Sequence, residues 1–401
     1  MSRRPTVALA VFFASACGAS KPIVTAKPTR ALDSTAVAPL PTPTAGQLRW
    51  PTAAQYEDGW IVAANLFPPG LNPRIGRRAL YVAHSRRGLL PLPDGDFRFA
   101  YPLVSATSDG ALHLFWAEGP ESSMPGGWPT TLTALWHARF ARGQWAPPER
   151  VIRGTVLGWE SRAPQVVTDD SGRFHVVVTV SDTGRPEETF HLMHDASGWH
   201  RRGLDMHVSY PTLASLSRGR LVLAYVVGDN QLHSRSSIDY GRTWTPSKRV
   251  LDPADTAHVN KPQLRVVNDS VYLGWTTGRT AEREFWNLSR RRAQRGDAAD
   301  SWSPPVRSPP LPGVIFNVSF AVDGCGSVRG LTELYAQNLP AIIREVRARD
   351  GRMSVGTPLG EAVAFEPLIE RSGDRIIQLW NGLSPQRDSL RPFFREFTTC
   401  P

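Results

Sequence analysis

The stretch that decides the fold is YPTLASLSRGRLVLAYVVGDNQLHSRSSIDYGRTW, residues 210–244. A short strand-like run leads into a Ser-Arg-Gly-Arg turn, and a longer apolar run follows, which is the pattern of a β-hairpin. A third run and a turn ending in Trp244 complete the unit. The stretch therefore predicts antiparallel strands joined by short turns rather than a helix.

Similar units recur along most of the chain, about 50 residues apart. They begin at Trp50, Tyr101, Ala163, Tyr210, Lys261, Asn317 and Glu366. Each unit supplies about four short strands, and such a unit buries both of its faces only by packing between two neighbours in a ring. We therefore predict an all-β fold, a single β-propeller of seven four-stranded antiparallel blades. Six blades with a degenerate end is the alternative count.

Large aromatic residues occupy equivalent positions on the predicted second strands: Trp116, Tyr225, Trp275 and Trp380. We expect them to fill the core between neighbouring blades. The seventh unit ends one strand short, after LRPFFREFTTC. The segment 47–49, just before the first unit, is predicted to supply the missing strand and to close the ring.

Residues 237–244, SIDYGRTW, match the pattern S-x-D-x-G-x-T-W. This is the Asp-box of the bacterial neuraminidase repeat, and the chain resembles the sialidase-like propeller superfamily, with repeats over nearly all of residues 48–400. One complete copy of the motif indicates a superfamily and not an activity. Because the turn follows a third strand, we expect it on the face away from the ligand. There Ser237, Asp239, Gly241 and Trp244 are interpreted as structural residues that tie the turn together.

The start of the chain, MSRRPTVALAVFFASACGAS, has two arginines, a short apolar run and small residues before Cys17. Residues 1–17 therefore predict a secretory signal, and its end resembles the lipobox of bacterial lipoproteins, in which Cys17 is lipidated. An ordinary signal peptide cut near Ala16 is the alternative. Residues 18–46 are rich in Pro, Ala and Thr and predict a disordered tether, which leaves 47–401 for the propeller. The expected location is the bacterial cell envelope, with the lipid as the membrane attachment.

Two more cysteines, Cys325 and Cys400, suit an oxidising compartment and are predicted to form a disulfide, with two free thiols as the alternative. The formal net charge is +10. Its arginines are mostly scattered singly, and no helical recognition motif accompanies them. An anionic surface or ligand is therefore a better prediction than nucleic acid.

The ligand is expected where the first strands of the blades begin, from residues just before these strands and from the loops after the second strands. The candidates are Arg74, Tyr101, Arg162, His207, Tyr210, His258, Asn260, Lys261, Arg279, Asn317, Glu366 and Arg387. Such a mouth favours a polar, anionic ligand such as a glycan carboxylate, which arginine binds with two parallel hydrogen bonds. We expect a monomer without cofactor or metal, and interpret the two histidines as rim residues rather than metal ligands.

Catalysis is left open by the sequence. The resemblance implies that a sialidase-type enzyme would need three arginines, an aspartate acid/base and a tyrosine nucleophile activated by a glutamate. Tyr335 with Glu333 is the candidate pair, and Glu160 with Glu366 are possible glycosidase carboxylates. The favoured function is glycan binding. An exo-acting glycoside hydrolase and a protein-interaction scaffold are the alternatives.

Overall fold

Strands are the only regular elements in the described part of the chain. The computed structural model describes residues 38–40, 47–67, 79–95, 102–118, 131–157, 164–181, 188–195, 197–204, 208–228, 230–250, 258–280, 283–292, 302–335, 341–359, 364–383, 390–398 and 400. The predicted signal, Cys17 and most of the predicted tether lie outside these residues. No helix with the length and apolar character of a membrane span occurs within them.

The strands form seven antiparallel blades around a central channel, so the predicted fold and the count of seven are confirmed. Each blade contributes its first strand to the channel, and later strands lie further out. The last strand of blade 2, Glu149–Leu157, also pairs with the second strand of blade 3, so these two blades share one nine-stranded sheet. Blade 1 contains β2 (Gln47–Tyr56), β3 (Gly59–Phe67), β4 (Ala79–His84) and β5 (Gly88–Leu89). Blade 2 contains β6 (Leu103–Ala106), β7 (Leu112–Glu118), β8 (Thr131–Ala141), β9 (Gln144–Trp145) and β10 (Glu149–Leu157). Blade 3 contains β11 (Gln165–Thr168), β12 (Phe174–Ser181), β13 (Glu188–Asp195) and β14 (Gly198–Gly203).

The remaining four blades follow the same plan. Blades 4 and 5 contain β15 (Ser209–Ser215), β16 (Leu221–Val227), β17 (Gln231–Ser237) and β18 (Lys248–Arg249); and β19 (His258–Val267), β20 (Ser270–Thr280), β21 (Arg283–Arg292), β22 (Val306–Arg307) and β23 (Leu311–Pro312). Blades 6 and 7 contain β24 (Val314–Val322), β25 (Val328–Tyr335), β26 (Ile342–Arg349) and β27 (Arg352–Leu359); and β28 (Ala364–Ser372), β29 (Arg375–Leu383), β30 (Leu390–Thr398) and β1 (Ala38–Pro39).

Both faces of a blade are covered by its neighbours, which explains why the second strands are buried on both faces and mostly apolar. In β16 every residue from Leu221 to Val226 is buried. The four aromatic residues predicted to fill the core between blades are all buried, at 5% exposure or less, so this prediction is confirmed. Burying one large apolar side chain stabilises a fold by about 1.5–3 kcal/mol, and this packing holds the ring together.

The closing strand differs from the prediction. Segment 47–49 is the start of β2 in blade 1, while the fourth strand of blade 7 is β1, in which Ala38 pairs with Phe394 and Pro39 with Phe393. β1 therefore lies within the segment that was predicted to be a disordered tether. The next residue, Leu40, is buried in the apolar cluster between blades 7 and 1. A two-residue strand has no periodicity, and its pairing is visible only once the ring is closed.

The two faces of the ring differ in what they carry. We call the end at which the first strands begin the mouth face, and the opposite end, where the first hairpins turn, the hairpin face. Cys325 lies in the turn between β24 and β25, and Cys400 follows β30, so both are at the hairpin face. They form the predicted disulfide, with 5.6 Å between their Cα atoms, and so connect blade 6 to the chain end in blade 7.

Candidate functional site

A cavity of about 710 Å³ runs along the channel and is lined by the first strands of all seven blades. Its lining includes charged residues near both faces: Lys261 and Glu366 toward the mouth face, and Arg265, Glu370 and Arg371 toward the hairpin face. A concave site of this size is typical of small-ligand binding. The channel mouth is therefore the candidate functional site.

Four residues at the mouth have an unusual backbone conformation. Trp50, Tyr210, Lys261 and Glu366 have φ angles of 50°, 52°, 52° and 53°, in the left-handed region that side chains other than glycine rarely adopt. Each precedes a proline, and the pairing of the first strand with the second shifts at the same point. All four residues line the cavity.

These bulges have a physical cause and an energetic cost. Proline has no backbone N–H to donate to the neighbouring strand, so the strand ladder is interrupted where it stands. A left-handed non-glycine residue costs about 1–3 kcal/mol and is retained where the surroundings determine it, often at functional sites. The bulges place an aromatic ring in blades 1 and 4, an amine in blade 5 and a carboxylate in blade 7 around one opening.

A second feature of the mouth is a buried carboxyl group, Glu333, on β25 of blade 6. Its side chain is fully buried. Asn317 Nδ2 and the backbone N–H of Glu366 donate hydrogen bonds to Glu333 Oε2 over 2.7 and 2.9 Å. Oε1 makes no hydrogen bond of normal geometry within the described residues. Burial, together with the negative charge of Glu366, raises the pKa of Glu333 to about 7.

Glu366 connects this carboxyl group to blade 1. Arg49 Nη1 lies 2.9 Å from Glu366 Oε1, and the backbone N–H of Trp50 donates to Oε2 over 3.3 Å. The Glu366 side chain is 6% exposed, so the ion pair is largely shielded from solvent. Two carboxyl groups with different partners thus lie side by side, an arrangement that separates acid and base roles in enzymes.

Tyr335 and Phe316 form the exposed edge of this cluster. They are 38% and 37% exposed, with ring centroids 5.2 Å apart, and the amine of Lys261 lies 4.7 Å from the Phe316 centroid. Burial and the adjacent Glu333 carboxylate raise the pKa of the Tyr335 phenol. The cluster therefore combines ring faces, a cation and an acid/base group at one opening.

The structure brings together six residues that the sequence predicted for the site: Tyr210, Lys261, Asn317, Glu333, Tyr335 and Glu366. His258 is exposed at the start of β19, and Asn260 is half-buried nearby, with its carbonyl accepting a hydrogen bond from Thr276. Arg279 lies within β20. The other predicted candidates, Arg74, Tyr101, Glu160, Arg162, His207 and Arg387, lie outside the described residues.

Two residues of the cluster were missed, Trp50 and Arg49. Trp50 stands before a proline like Tyr210 and Lys261, and this shared position was a usable signal for it. Phe316 directly precedes Asn317 and lies in a segment before a first strand, where the sequence predicted ligand contacts. Arg49 has no sequence signal, because its partner Glu366 is 317 residues away.

The turn at residues 237–244 lies at the hairpin face, since it follows β17, which runs in the same direction as β15. Asp239 accepts hydrogen bonds from the backbone N–H and the hydroxyl of Thr243 over 2.8 and 2.6 Å. Ser237 Oγ accepts from the Gly241 N–H over 2.8 Å. Trp244 packs on the apolar cluster between blades 3 and 4. The motif is thus part of the scaffold and far from the mouth.

Fold and site together define this chain as a seven-bladed β-propeller with a polar channel mouth. No family model matches it, and no curated protein matches it. A solved structure of a protein of unknown function from Dyadobacter fermentans is 13% identical, with 90% of this chain and 97% of that chain covered and a TM-score of 0.50. The polysaccharide lyase Uly1 is 11% identical, with 90% of this chain and 91% of that chain covered and a TM-score of 0.51. Phage phi92 endosialidase is 12% identical, with 92% of this chain and 69% of that chain covered and a TM-score of 0.49. At these identities the similarity concerns the fold.

Proposed function

We propose that the channel mouth binds a carbohydrate that carries an anionic group. The observation that carries this proposal is the set of four bulges, which direct two aromatic rings, an amine and a carboxylate to one opening. That Uly1, a protein of similar fold, is a polysaccharide lyase supports the same class of ligand. The lipid anchor at Cys17, which would hold the propeller at the cell envelope, belongs to this proposal and rests on the sequence of residues 1–17.

The side chains match the chemistry of a sugar. Sugar rings present C–H groups that pack on aromatic faces, as Trp50, Tyr210 and the exposed ring of Phe316 allow. Hydroxyl groups need donors and acceptors, which the exposed Tyr335 and the half-buried Asn317 supply. The amine of Lys261 gives a positive charge for a carboxylate or sulfate on the ligand.

Binding is tested by titrating the full chain with acidic and neutral oligosaccharides and measuring heat release. We expect acidic oligosaccharides to bind, and Lys261→Ala and Phe316→Ala each to weaken binding about tenfold, the effect of losing about 1.4 kcal/mol of contact energy. Lys248→Ala, on the outer strand of blade 4, is the matched control and should bind as the wild type does. Equal losses in Lys261→Ala and Lys248→Ala would assign the effect to net charge and contradict a site at the mouth.

A second candidate function, glycoside hydrolysis, is favoured by one specific observation. The Tyr335 phenol lies beside the buried Glu333 carboxyl group, so Glu333 is positioned to take the phenolic proton while Tyr335 attacks an anomeric carbon. The glycosidic C–O bond breaks, and the leaving oxygen takes a proton from water. Water then hydrolyses the glycosyl-tyrosine bond, and the phenol regains its proton from Glu333. Glu333 acts as a base only when ionised. Because its pKa is raised to about 7, turnover should rise as the pH increases through 7.

Hydrolysis is tested with fluorogenic sialosides and a panel of other glycosides. Tyr335→Phe should remove turnover, since it deletes the nucleophilic oxygen and leaves the ring in place. Glu333→Gln should lower kcat and flatten the pH profile near neutrality. Turnover that survives in Tyr335→Phe would overturn this mechanism. Binding without turnover on the panel would leave the glycan-binding proposal standing.

A further inference from the structure

The packed faces of blades 6 and 7 hold a charged cluster that is separate from the mouth. It consists of Arg329, Glu345 and Arg347 from β25 and β26, with Gln378 and Arg395 from β29 and β30, and we call it the arginine seam. Arg329 lies at the hairpin end of β25, whose other end carries Glu333.

Strand register brings the seam together. Arg329 pairs directly with Arg347, and Leu331 pairs with Glu345, so these side chains project from one face of blade 6. Leu331 packs against Ile376 of blade 7, which identifies this face as the one between the two blades. Two arginines directly opposite each other repel, and such a pair destabilises a sheet unless a negative charge lies between them.

Glu345 supplies one such charge. Its side chain is 4% exposed, and its carboxylate oxygens lie 2.9 Å from Arg347, 3.6 Å from Arg329 and 3.9 Å from Arg395. The Arg395 Nε–H also donates to Gln378 Oε1. Among the described residues, Glu345 is the only acidic residue that forms an ion pair with any of these three arginines.

The seam therefore carries more positive charge than its one carboxylate balances. Glu345 Oε1 makes no hydrogen bond within the described residues, although the guanidinium group of Arg329 lies 3.6 Å away. Three guanidinium groups share one carboxylate. Burial lowers the pKa of Arg395, the Glu345 carboxylate opposes this shift, and the charges of Arg329 and Arg347 add to it. Gln378 is fully buried, and its Nε2 donor has no hydrogen-bond partner within the described residues. An unpaired buried donor of this kind needs a physical explanation, and an excess of positive charge at the same place is consistent with a missing anion.

We propose that the arginine seam binds an oxyanion group, such as a sulfate, phosphate or carboxylate, from the solvent side. Arg347 and Arg329 keep 44% and 32% of their side chains exposed, so their outer N–H groups face a ligand that enters between blades 6 and 7. Adjacent guanidinium groups bind an oxyanion with several charge-assisted hydrogen bonds. The anion is either free in solution or part of a larger polyanion, and both have the same chemistry at this site.

The test is calorimetric titration of the full chain with sodium sulfate, sodium phosphate, dextran sulfate and poly-glutamate, at ionic strength held constant with chloride. We expect saturable binding of at least one probe, about tenfold weaker in Arg347→Gln, which loses one charge-assisted contact. Arg347→Lys, which keeps the charge and loses the planar fork, should also bind more weakly. Arg349→Gln is the matched control, because Arg349 lies on the same strand and is 80% exposed.

Glu345→Gln separates a ligand site from a purely structural ion-pair cluster. Removing the resident carboxylate frees the three arginines, so anion affinity should rise about tenfold or more, even if the variant is less stable without ligand. Binding of inorganic sulfate or phosphate with this pattern assigns a free anion, and binding of the polymers alone with the same pattern assigns a polyanion. Absence of saturable binding to every probe, or equal losses in Arg347→Gln and Arg349→Gln, would overturn the proposal. So would binding that is lost in Lys261→Ala and unchanged in Arg347→Gln.

Discussion

At the scale of single residues, two stacked pairs of buried histidines stand out in blades 2 and 3. His113 and His137 have ring nitrogens 2.9 Å apart, and His175 and His191 have theirs 3.1 Å apart. Burial lowers the pKa of His113 and of His191 to about 3, with a smaller contribution from the partner histidine in each pair. Burial also lowers the pKa of His137 and His175, although the carboxylates that they contact, Glu149 and Asp169, raise it in part. All four are therefore neutral in the folded protein near neutral pH.

These histidines predict acid sensitivity. Below the unfolded pKa of about 6.5 the unfolded chain binds protons that the folded protein excludes, so stability is complete above that pH and falls as the pH drops toward 3. One fully excluded proton corresponds to about 1.4 kcal/mol per pH unit. Urea unfolding of the wild type and of His191→Gln between pH 7 and pH 4 measures how the free energy of unfolding depends on pH. In the variant this dependence should be smaller by about 1.4 kcal/mol per pH unit. Parallel slopes in the two proteins would contradict the assignment.

At the scale of an element, the turn at residues 237–244 depends on a glycine for two reasons. Gly241 has a φ of +79°, and a Cβ atom added there would lie 2.1 Å from His191 Cε1. Gly172, in the turn between β11 and β12, has a φ of +80° and open space around it. The two positions therefore share the backbone conformation and differ in the side-chain contact.

This difference predicts the effects of two alanine substitutions. Gly172→Ala should lower the free energy of unfolding by about 1 kcal/mol, the strain of a left-handed alanine. Gly241→Ala adds a clash in a packed interior and should lower it by about 3 kcal/mol in total. Chemical denaturation of the two variants beside the wild type gives both values. Equal losses of unfolding free energy in the two variants would mean that the turn moves away from blade 3 at no energetic cost.

At the scale of the whole molecule, ring closure is the feature on which the other contacts depend. Asn381 of blade 7 is fully buried, its Oδ1 accepts from the Leu48 N–H over 2.9 Å, and its Nδ2 donates to the Leu48 carbonyl over 2.7 Å. One side chain thus continues the hydrogen bonding from the last blade to the first. The β1 strand and the disulfide secure the same end of the chain.

Asn381→Ala should weaken this closure. It leaves two buried backbone groups of Leu48 unpaired, which costs about 2–4 kcal/mol in total, and hydrogen exchange should accelerate in β2 and β29. Asn287→Ala is the matched control, because Asn287 is equally buried but hydrogen-bonds within blade 5. Its effect on exchange should stay in blade 5. Faster exchange throughout the ring in both variants would show that closure depends on packing and not on Asn381.

Much of the fold was predictable from sequence because most contacts within a blade join residues that are close along the chain. The hairpins, the glycine turns and the buried aromatic positions all arise from residues within about 50 positions of each other, and repetition makes their pattern visible. The pairing of Cys325 with Cys400 was predicted from an even pair of cysteines in an oxidising compartment, and the alternating strand directions, which put both at the hairpin face, agree with it. Part of the site was predictable in the same way: Tyr210, Lys261 and Glu366 each start a repeat unit before a proline.

The sequence by itself thus determined the class of fold, favoured seven blades over six, and predicted the face on which a ligand is expected. Only the tertiary structure decided which segment closes the ring, that Arg49 pairs with Glu366, that Glu333 is buried beside Tyr335, and that three arginines converge on Glu345. The physical reason is the separation of these partners along the chain. Repeat periodicity reports contacts between neighbours in sequence, whereas contacts across the ring and between blades depend on register, bulges and the geometry of closure.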